Sequence, residues 1–164
     1  MSTDTQDLAA VERRLWSELE DHQIGMLGID GSPRQTQPMT AFLERDVNQI
    51  WFFTRSDTEL SKMIGEGRRA NFILQTKALQ ALITGELTLQ YDPERIDRYW
   101  NAVVAAWYPQ GRQDSGLTML RLNCQDAQVW LSEAGPVRFA WEIAKANATH
   151  QPPELGGRAS LNFH

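Results

Sequence analysis

The residues best suited to chemistry lie in one short stretch, "IWFFTRSDTELSKMI", Ile50 to Ile64. Three consecutive aromatics, Trp51, Phe52 and Phe53, run into Thr54-Arg55-Ser56, and the hydrophobic period then changes from strand to helix. Ser61 and Lys62 follow one turn later. The first turn of a helix carries unpaired N–H groups and a partial positive charge, which attract phosphate. Thr54, Ser56 and Ser61 add hydroxyl donors, and Arg55 and Lys62 add cations. This set could hold an anionic, partly aromatic ligand. The competing reading is a capped surface helix with solvated Lys and Arg, and Asp57 and Glu59 favour it because they already complement the helix dipole.

Other catalytic signatures are absent from the sequence. There is no G-x-S-x-G and no P-loop, and "GMLGIDG" lacks the G-x-G-x-x-G spacing. His22, His150 and His164 are isolated, so no metal site is expected. Cys124 has no histidine nearby in sequence and reads as a buried thiol. Of the six tryptophans, Trp16, Trp100 and Trp141 sit on helical apolar faces and read as core, and Trp51 as a strand core residue. Trp107 and Trp130 either stack on a flat ring or pack in the core.

Several elements must position these groups. A helix is expected over Asp7–Asp21, from Leu8, Val11, Leu15 and Leu19. Strands follow at Ile24–Asp30, Gln35–Glu44 and Gln49–Thr54. Pro38 places the second of these at an edge or bulge. Ser56 with Glu59 reads as a capping box for the helix that Gly65 and Gly67 end. Two strands, 69–76 and 79–90, join through Lys77-Ala78, and Gly85 predicts a bulge or a close backbone approach. A single helix is expected from Asp92 to Trp107, with Pro93 at its first position. Its apolar stripe would be Ile96, Tyr99, Trp100, Val103 and Trp107. "LTMLRLNC" and "AQVWLSEA" read as a closing hairpin, "VRFAWEIAKANA" as a helix, and the end of the chain as mobile or peripheral. The fold class is mainly β, a six- to seven-stranded antiparallel Greek-key split barrel with flanking helices. One domain over 1–150 with a C-terminal tail at 151–164 is expected.

The chain has 164 residues, 23% charged and 41% hydrophobic, with a net charge of −5. That composition fits a globular domain. It argues against nucleic acid, because no basic run is present. The polar, acidic start predicts no signal peptide, and no apolar run is long enough for a membrane helix. One cysteine fits a reducing, cytoplasmic setting.

The order of these elements resembles the flavin-binding split-barrel superfamily that includes pyridoxamine 5′-phosphate oxidase, and within it the bacterial general stress protein branch. The residues that carry the resemblance are "QPMTAF", "IWFFTRSDTELSKMI", "LQALITGELTL", the "WYPQGRQD" loop and "AQVWLSEA". It implies FMN, or FAD, bound at a homodimer interface in a cytoplasmic protein, and a flavin-dependent oxidoreductase of unnamed substrate. The alternatives are a non-catalytic flavin-buffering module and a split barrel using a deazaflavin or haem. The resemblance assigns the flavin phosphate to Thr54 and Lys62, with Ser61 beside them. It puts Phe52 and Phe53 by the flavin, and Gln37, Pro38, Met39 and Thr40 along its ring. Gln80 approaches the flavin, and Trp107 and Trp130 come from the partner chain or the rim. Gln37 stands where the family often has arginine. The oxidases' arginine-rich C-terminal stretch is missing too, since "GGRASLNFH" offers Arg158 alone apart from His164. Oxidation of pyridoxamine or pyridoxine phosphate is therefore not expected.

Overall fold

The computed structural model describes residues 5–132, 136–152 and 157–164. A helix, α1 (Thr5–Asp21), leads into strands β1 (Ile24–Ile29), β2 (Ser32–Thr40), β3 (Phe42–Glu44) and β4 (Gln49–Arg55). After α2 (Glu59–Ile64) come β5 (Arg68–Gln75), β6 (Leu79–Gln90), α3 (Pro93–Tyr99) and α4 (Ala102–Ala106). The chain closes with β7 (Leu117–Leu131), α5 (Pro136–Thr149) and β8 (Arg158–Asn162). Every strand pair is antiparallel. Seven strands follow the path β2-β1-β5-β6-β7-β4-β3, and β8 adds to β7. The sheet curls into a split barrel with helices outside, the architecture expected from the sequence. Pro38 lies on β2, an edge strand, where its missing N–H costs no ladder bond.

Two apolar clusters sit on opposite sides of this sheet. The barrel interior holds Leu27, Ile50, Phe52, Phe72, Ile83, Leu120 and Leu122, with Leu15, Trp16 and Leu19 of α1 closing it. The second cluster, Phe42, Trp51, Ile96, Val104, Tyr108, Leu117 and Met119, lies outside β4 and β7 under α3 and α4. Alternation along β4 serves both, because successive side chains point to opposite faces. Arg95 fastens α3 to β3. Its guanidinium bonds Glu44 at 2.7 and 3.0 Å and Asp92 at 2.7 Å, and lies 4.3 Å from the Trp51 ring centre. Tyr99 Oη donates to the same Glu44 carboxylate at 2.8 Å.

Four expectations are corrected. The closing hairpin is one 15-residue strand, β7: the Asn123–Ala127 stretch has no Gly or Pro and, instead of turning, stays paired with β6 through a bulge that takes up one extra residue, Gln125. The long helix breaks at Trp100, where Asn101 Oδ1 accepts the Val104 N–H at 2.8 Å and starts a new helix. That break turns Val103 and Trp107 out to solvent, 71% and 74% exposed, instead of continuing the stripe. Trp141 is likewise exposed on α5 rather than in the core. The C-terminal segment expected to be mobile or peripheral forms β8, and Ala159, Leu161 and Phe163 bury themselves against the barrel. The Phe163 ring meets Trp16 of α1 edge to face at 5.9 Å.

Gly85 fulfils both readings of its position. It faces the β7 bulge, and a Cβ placed there would lie 1.9 Å from the Asn123 carbonyl oxygen. Gly85→Ala is expected to destabilise the fold by about 3 kcal/mol or more, since backbone must move to relieve the clash. Chemical denaturation checks this.

Glu44 has its carboxyl pKa lowered, first by the Arg95 hydrogen bond, against the opposing effect of burial. A lowered folded-state pKa stabilises the fold above the unfolded value of about 4.3 and loses that effect as pH falls through the folded value. Glu44→Ala should cost about 1–3 kcal/mol at neutral pH. The gap between mutant and wild type should close below about pH 4, read from melts across a pH series.

Candidate functional site

Strand β4 delivers the candidate phosphate groups to one end of the barrel. Thr54 pairs in register with Thr118 of β7, and both are buried. Among the described residues neither hydroxyl has an intramolecular hydrogen bond. The chain then turns through 56–58 into α2. The cap of α2 is Thr58, not Ser56: its Oγ1 accepts the Ser61 N–H at 3.1 Å. The expected Ser56–Glu59 capping box is therefore displaced by two residues, and one helix N–H that the sequence left free is already satisfied.

Ser61 is buried and donates its hydroxyl to the Arg55 carbonyl at 2.7 Å. The Thr58 hydroxyl lies 2.9 Å from Ser61 Oγ and 3.0 Å from the same carbonyl. These bonds tie the last residue of β4 to the first turn of α2. Lys62 projects into solvent, with Nζ 3.8 Å from the Glu59 carboxylate. Such an exposed pair is weak and leaves the ammonium available.

Arg55 is held more firmly than the sequence implied. Nη1 and Nη2 lie 3.4 and 3.5 Å from the two Asp114 oxygens, and Nε lies 3.4 Å from Asp57. The guanidinium carbon sits 5.8 Å from the Tyr108 ring centre. Gly116 makes the space, since a Cβ there would come within 2.4 Å of Nη2. Asp114 has its pKa lowered, first by the Gly116 N–H and then by Arg55, and burial pushes Tyr108 up to about 12. The 108–116 loop thus anchors Arg55.

On β2, Gln37 and Met39 are half-buried, while Pro38 and Thr40 are exposed. This strand also approaches β4 across the barrel. Phe52 and Phe53 point to opposite faces. The Phe52 ring is fully buried in the barrel against Phe72, so only its backbone reaches the surface side. Phe53 is half-buried among Phe42, Trp100 and Tyr108, with ring centres 5.5, 6.2 and 6.5 Å away.

Gln80 and Trp130 are brought together in a separate place. They are direct register partners on β6 and β7, on the outer sheet face. The next residue in that row is Arg158 of β8, which the sequence reading left in a loose tail. Its alternation, Ala-Ser-Leu-Asn-Phe, was the available signal. Trp107 stands apart, beside Ala102, Val103 and Ala106 in a shallow apolar depression. Among the described residues no group of three His, Cys, Asp or Glu could hold a metal ion. Burial pushes the Cys124 thiol up to about 12, so it stays protonated and unreactive at neutral pH. Among the described residues no helix is long and apolar enough to cross a membrane.

The model of pyridoxamine 5′-phosphate oxidase-like proteins matches residues 10–154. No curated protein matches the sequence. Among solved structures, a general stress FMN/FAD binding protein from Xanthomonas citri is 41% identical, with a TM-score of 0.71, over 80% of this chain and 93% of that one. A general stress family protein candidate from Xanthomonas campestris is 38% identical, with a TM-score of 0.71, over 82% and 93% of the two chains. A general stress protein 26 candidate from Jannaschia is 32% identical, with a TM-score of 0.79, over 94% and 99%. With the split barrel and the ordered junction already described, these matches mean that the chain belongs to the general stress protein branch of the pyridoxamine 5′-phosphate oxidase-like family.

Proposed function

We propose that this protein binds FMN, with FAD as the larger alternative, between two copies of the chain, and that it serves as a flavin-dependent oxidoreductase. The single observation that carries this reading is the β4–α2 junction. There Thr54 and Thr118 keep unspent hydroxyls at the end of β4, and Lys62 follows on α2 with an exposed ammonium. A flavin phosphate needs such donors, and the ring needs a flat slot with a few polar edges. The Xanthomonas citri relative, described as an FMN/FAD binding protein, supports the choice of ligand.

In this reading Thr54 and Lys62 hold the phosphate. Ser61 fixes the turn through the Arg55 carbonyl. Gln37, Pro38, Met39 and Thr40 line the ring, with Phe53 and the Phe52 backbone beneath. A bound flavin supplies electron and hydride acceptance at its ring; the chain supplies position, charge and exclusion of water. Gln80 and Trp130 sit elsewhere on the same chain, and a second copy would bring them to the flavin. Trp107 would lie at the rim.

A band of apolar side chains supports the dimer. Pro38, Met26, Ile73 and Leu82 are successive register partners across β2, β1, β5 and β6. Met26 and Ile73 are 39% and 44% exposed, and Ile24 at the end of β1 is 67% exposed. A contiguous apolar row on a sheet face marks an association surface. The lone buried thiol Cys124 fits a cytoplasmic setting. A flavin carrier without turnover is the second reading, favoured because the residues assigned to the flavin include no His, Cys, Asp or Glu.

Titrating apoprotein with FMN tests the ligand. The wild type should turn yellow and saturate, and Lys62→Ala should weaken binding by about tenfold or more, as for loss of a charge-assisted contact. A wild type that takes up neither FMN nor FAD would defeat the proposal.

Ile73→Asp should break the apolar row. Sedimentation should show a fall from twice the chain mass to once, and flavin affinity should fall with it. A variant that becomes monomeric yet binds flavin as tightly as the wild type would contradict the shared site.

A further inference from the structure

Three strands present a compact set of hydrogen-bond donors around one indole. The row Gln80–Trp130–Arg158 runs across β6, β7 and β8 in register, and Leu82–Gln128–Ser160 forms the row beside it. Side chains two residues apart share a face, so all six lie on the outer side of the sheet. Arg158 is preorganised there. Its Nε and Nη2 donate to Gln128 Oε1 at 3.3 and 3.2 Å, and its guanidinium carbon lies 5.3 Å from the Trp130 ring centre. Ser160 Oγ donates to the same Gln128 oxygen at 2.9 Å.

The consequence is an imbalance of donors over acceptors. Gln128 Oε1 already takes three bonds, so its remaining hydrogen-bonding capacity is the amide NH2, a donor. Arg158 uses one edge of its fork on Gln128. Its end-on edge, Nη1 with the second Nη2 hydrogen, has no partner among the described residues. Gln80 also makes no side-chain hydrogen bond to a described residue. The carboxylate of the following row, Asp126, lies 3.8 Å from Arg69. Trp130 leaves 40% of its surface open, with the apolar Leu82 beside it.

A surface that offers a planar cation fork, amide donors and an exposed aromatic plane fits a planar oxyanion attached to a flat ring. We propose that Arg158, Gln128 and Trp130 form a substrate subsite for an aromatic carboxylate, beside the flavin ring held by the partner chain. The placement beside flavin rests on the proposed function above. A carboxylate is preferred to a phosphate because one fixed guanidinium matches a monoanion bidentately, whereas a dianion calls for further cations. This reading revises the sequence-based view of Arg158 as a lone, unordered cation: strand pairing, the indole and Gln128 fix it before any ligand arrives.

Isothermal titration of the 164-residue chain with benzoate tests the subsite, with benzamide as the neutral match and FMN content read by absorbance on the same samples. Benzoate should bind the wild type saturably at roughly millimolar concentrations, and benzamide more weakly. Arg158→Gln should weaken benzoate by about tenfold or more while FMN affinity stays unchanged. Arg158→Lys should recover only part of the loss, because an ammonium lacks the fork. Gln128→Ala, which frees the guanidinium, should also weaken benzoate and serves if Arg158→Gln fails to fold by circular dichroism. Equal benzoate affinity in these variants and the wild type would overturn the proposal, as would benzamide binding as well as benzoate, or no benzoate binding by the wild type. A chain that binds benzoate through Arg158 but takes up no flavin would overturn the flavin reading and leave the subsite standing.

Discussion

The fold depends on one close backbone approach, Gly85 of β6 against the Asn123 carbonyl of β7. At that point β7 gains an extra residue, Gln125, and bends. The bend lets one 15-residue strand serve two neighbours on the same edge. Its first half pairs with β4, from Leu117 to Asn123, and its second half with β8, from Asp126 to Trp130. Strand β6 stays paired along the other edge. Both candidate regions hang from this strand: the Thr54–Thr118 pair at one end and the Trp130–Arg158 row at the other. A side chain at Gly85 would disturb the geometry of both without touching either.

Two cores share β4, and this explains the aromatic run at its centre. Phe52 belongs to the barrel interior, while Trp51 and Phe53 belong to the outer cluster under α3 and α4. Aromatic neighbours in sequence are therefore not neighbours in packing. Trp51 also provides the face on which Arg95 lies, and Arg95 in turn gathers Glu44 and Asp92. Burial weakens the solvation of these charges, and pairing compensates it, so the cluster holds α3 in place only while it is complete.

The two arginines that matter for recognition are held in different ways. Arg55 is engaged by Asp114 and Asp57, and its charge is largely answered within the chain. Arg158 is oriented by a neutral amide and an indole, which leave its charge unanswered among the described residues. The first arrangement stabilises a loop and a strand end. The second keeps a cation fixed and electrostatically available, the condition for binding an anion without first losing side-chain entropy.

Local chemistry was legible in the sequence. The period change after Phe53, the hydroxyls and cations at 54–62, Pro38 at an edge and Gly85 at a bulge all follow from properties of single residues or short repeats. What the sequence left open was decided by which of several competing local caps formed and by contacts between distant segments. Thr58 rather than Ser56 caps α2 because its hydroxyl reaches the Ser61 N–H. Asn101 breaks a helix that its periodicity would continue, because a side-chain cap there competes with the helical ladder. Strand β8 is short and follows two glycines, so its brief alternation is the one local mark it carries. It exists because Ala159, Leu161 and Phe163 find the open edge of β7 and the Trp16 ring. Residues fix propensity over a few positions. Burial and pairing over a hundred residues choose among the outcomes that propensity leaves equal.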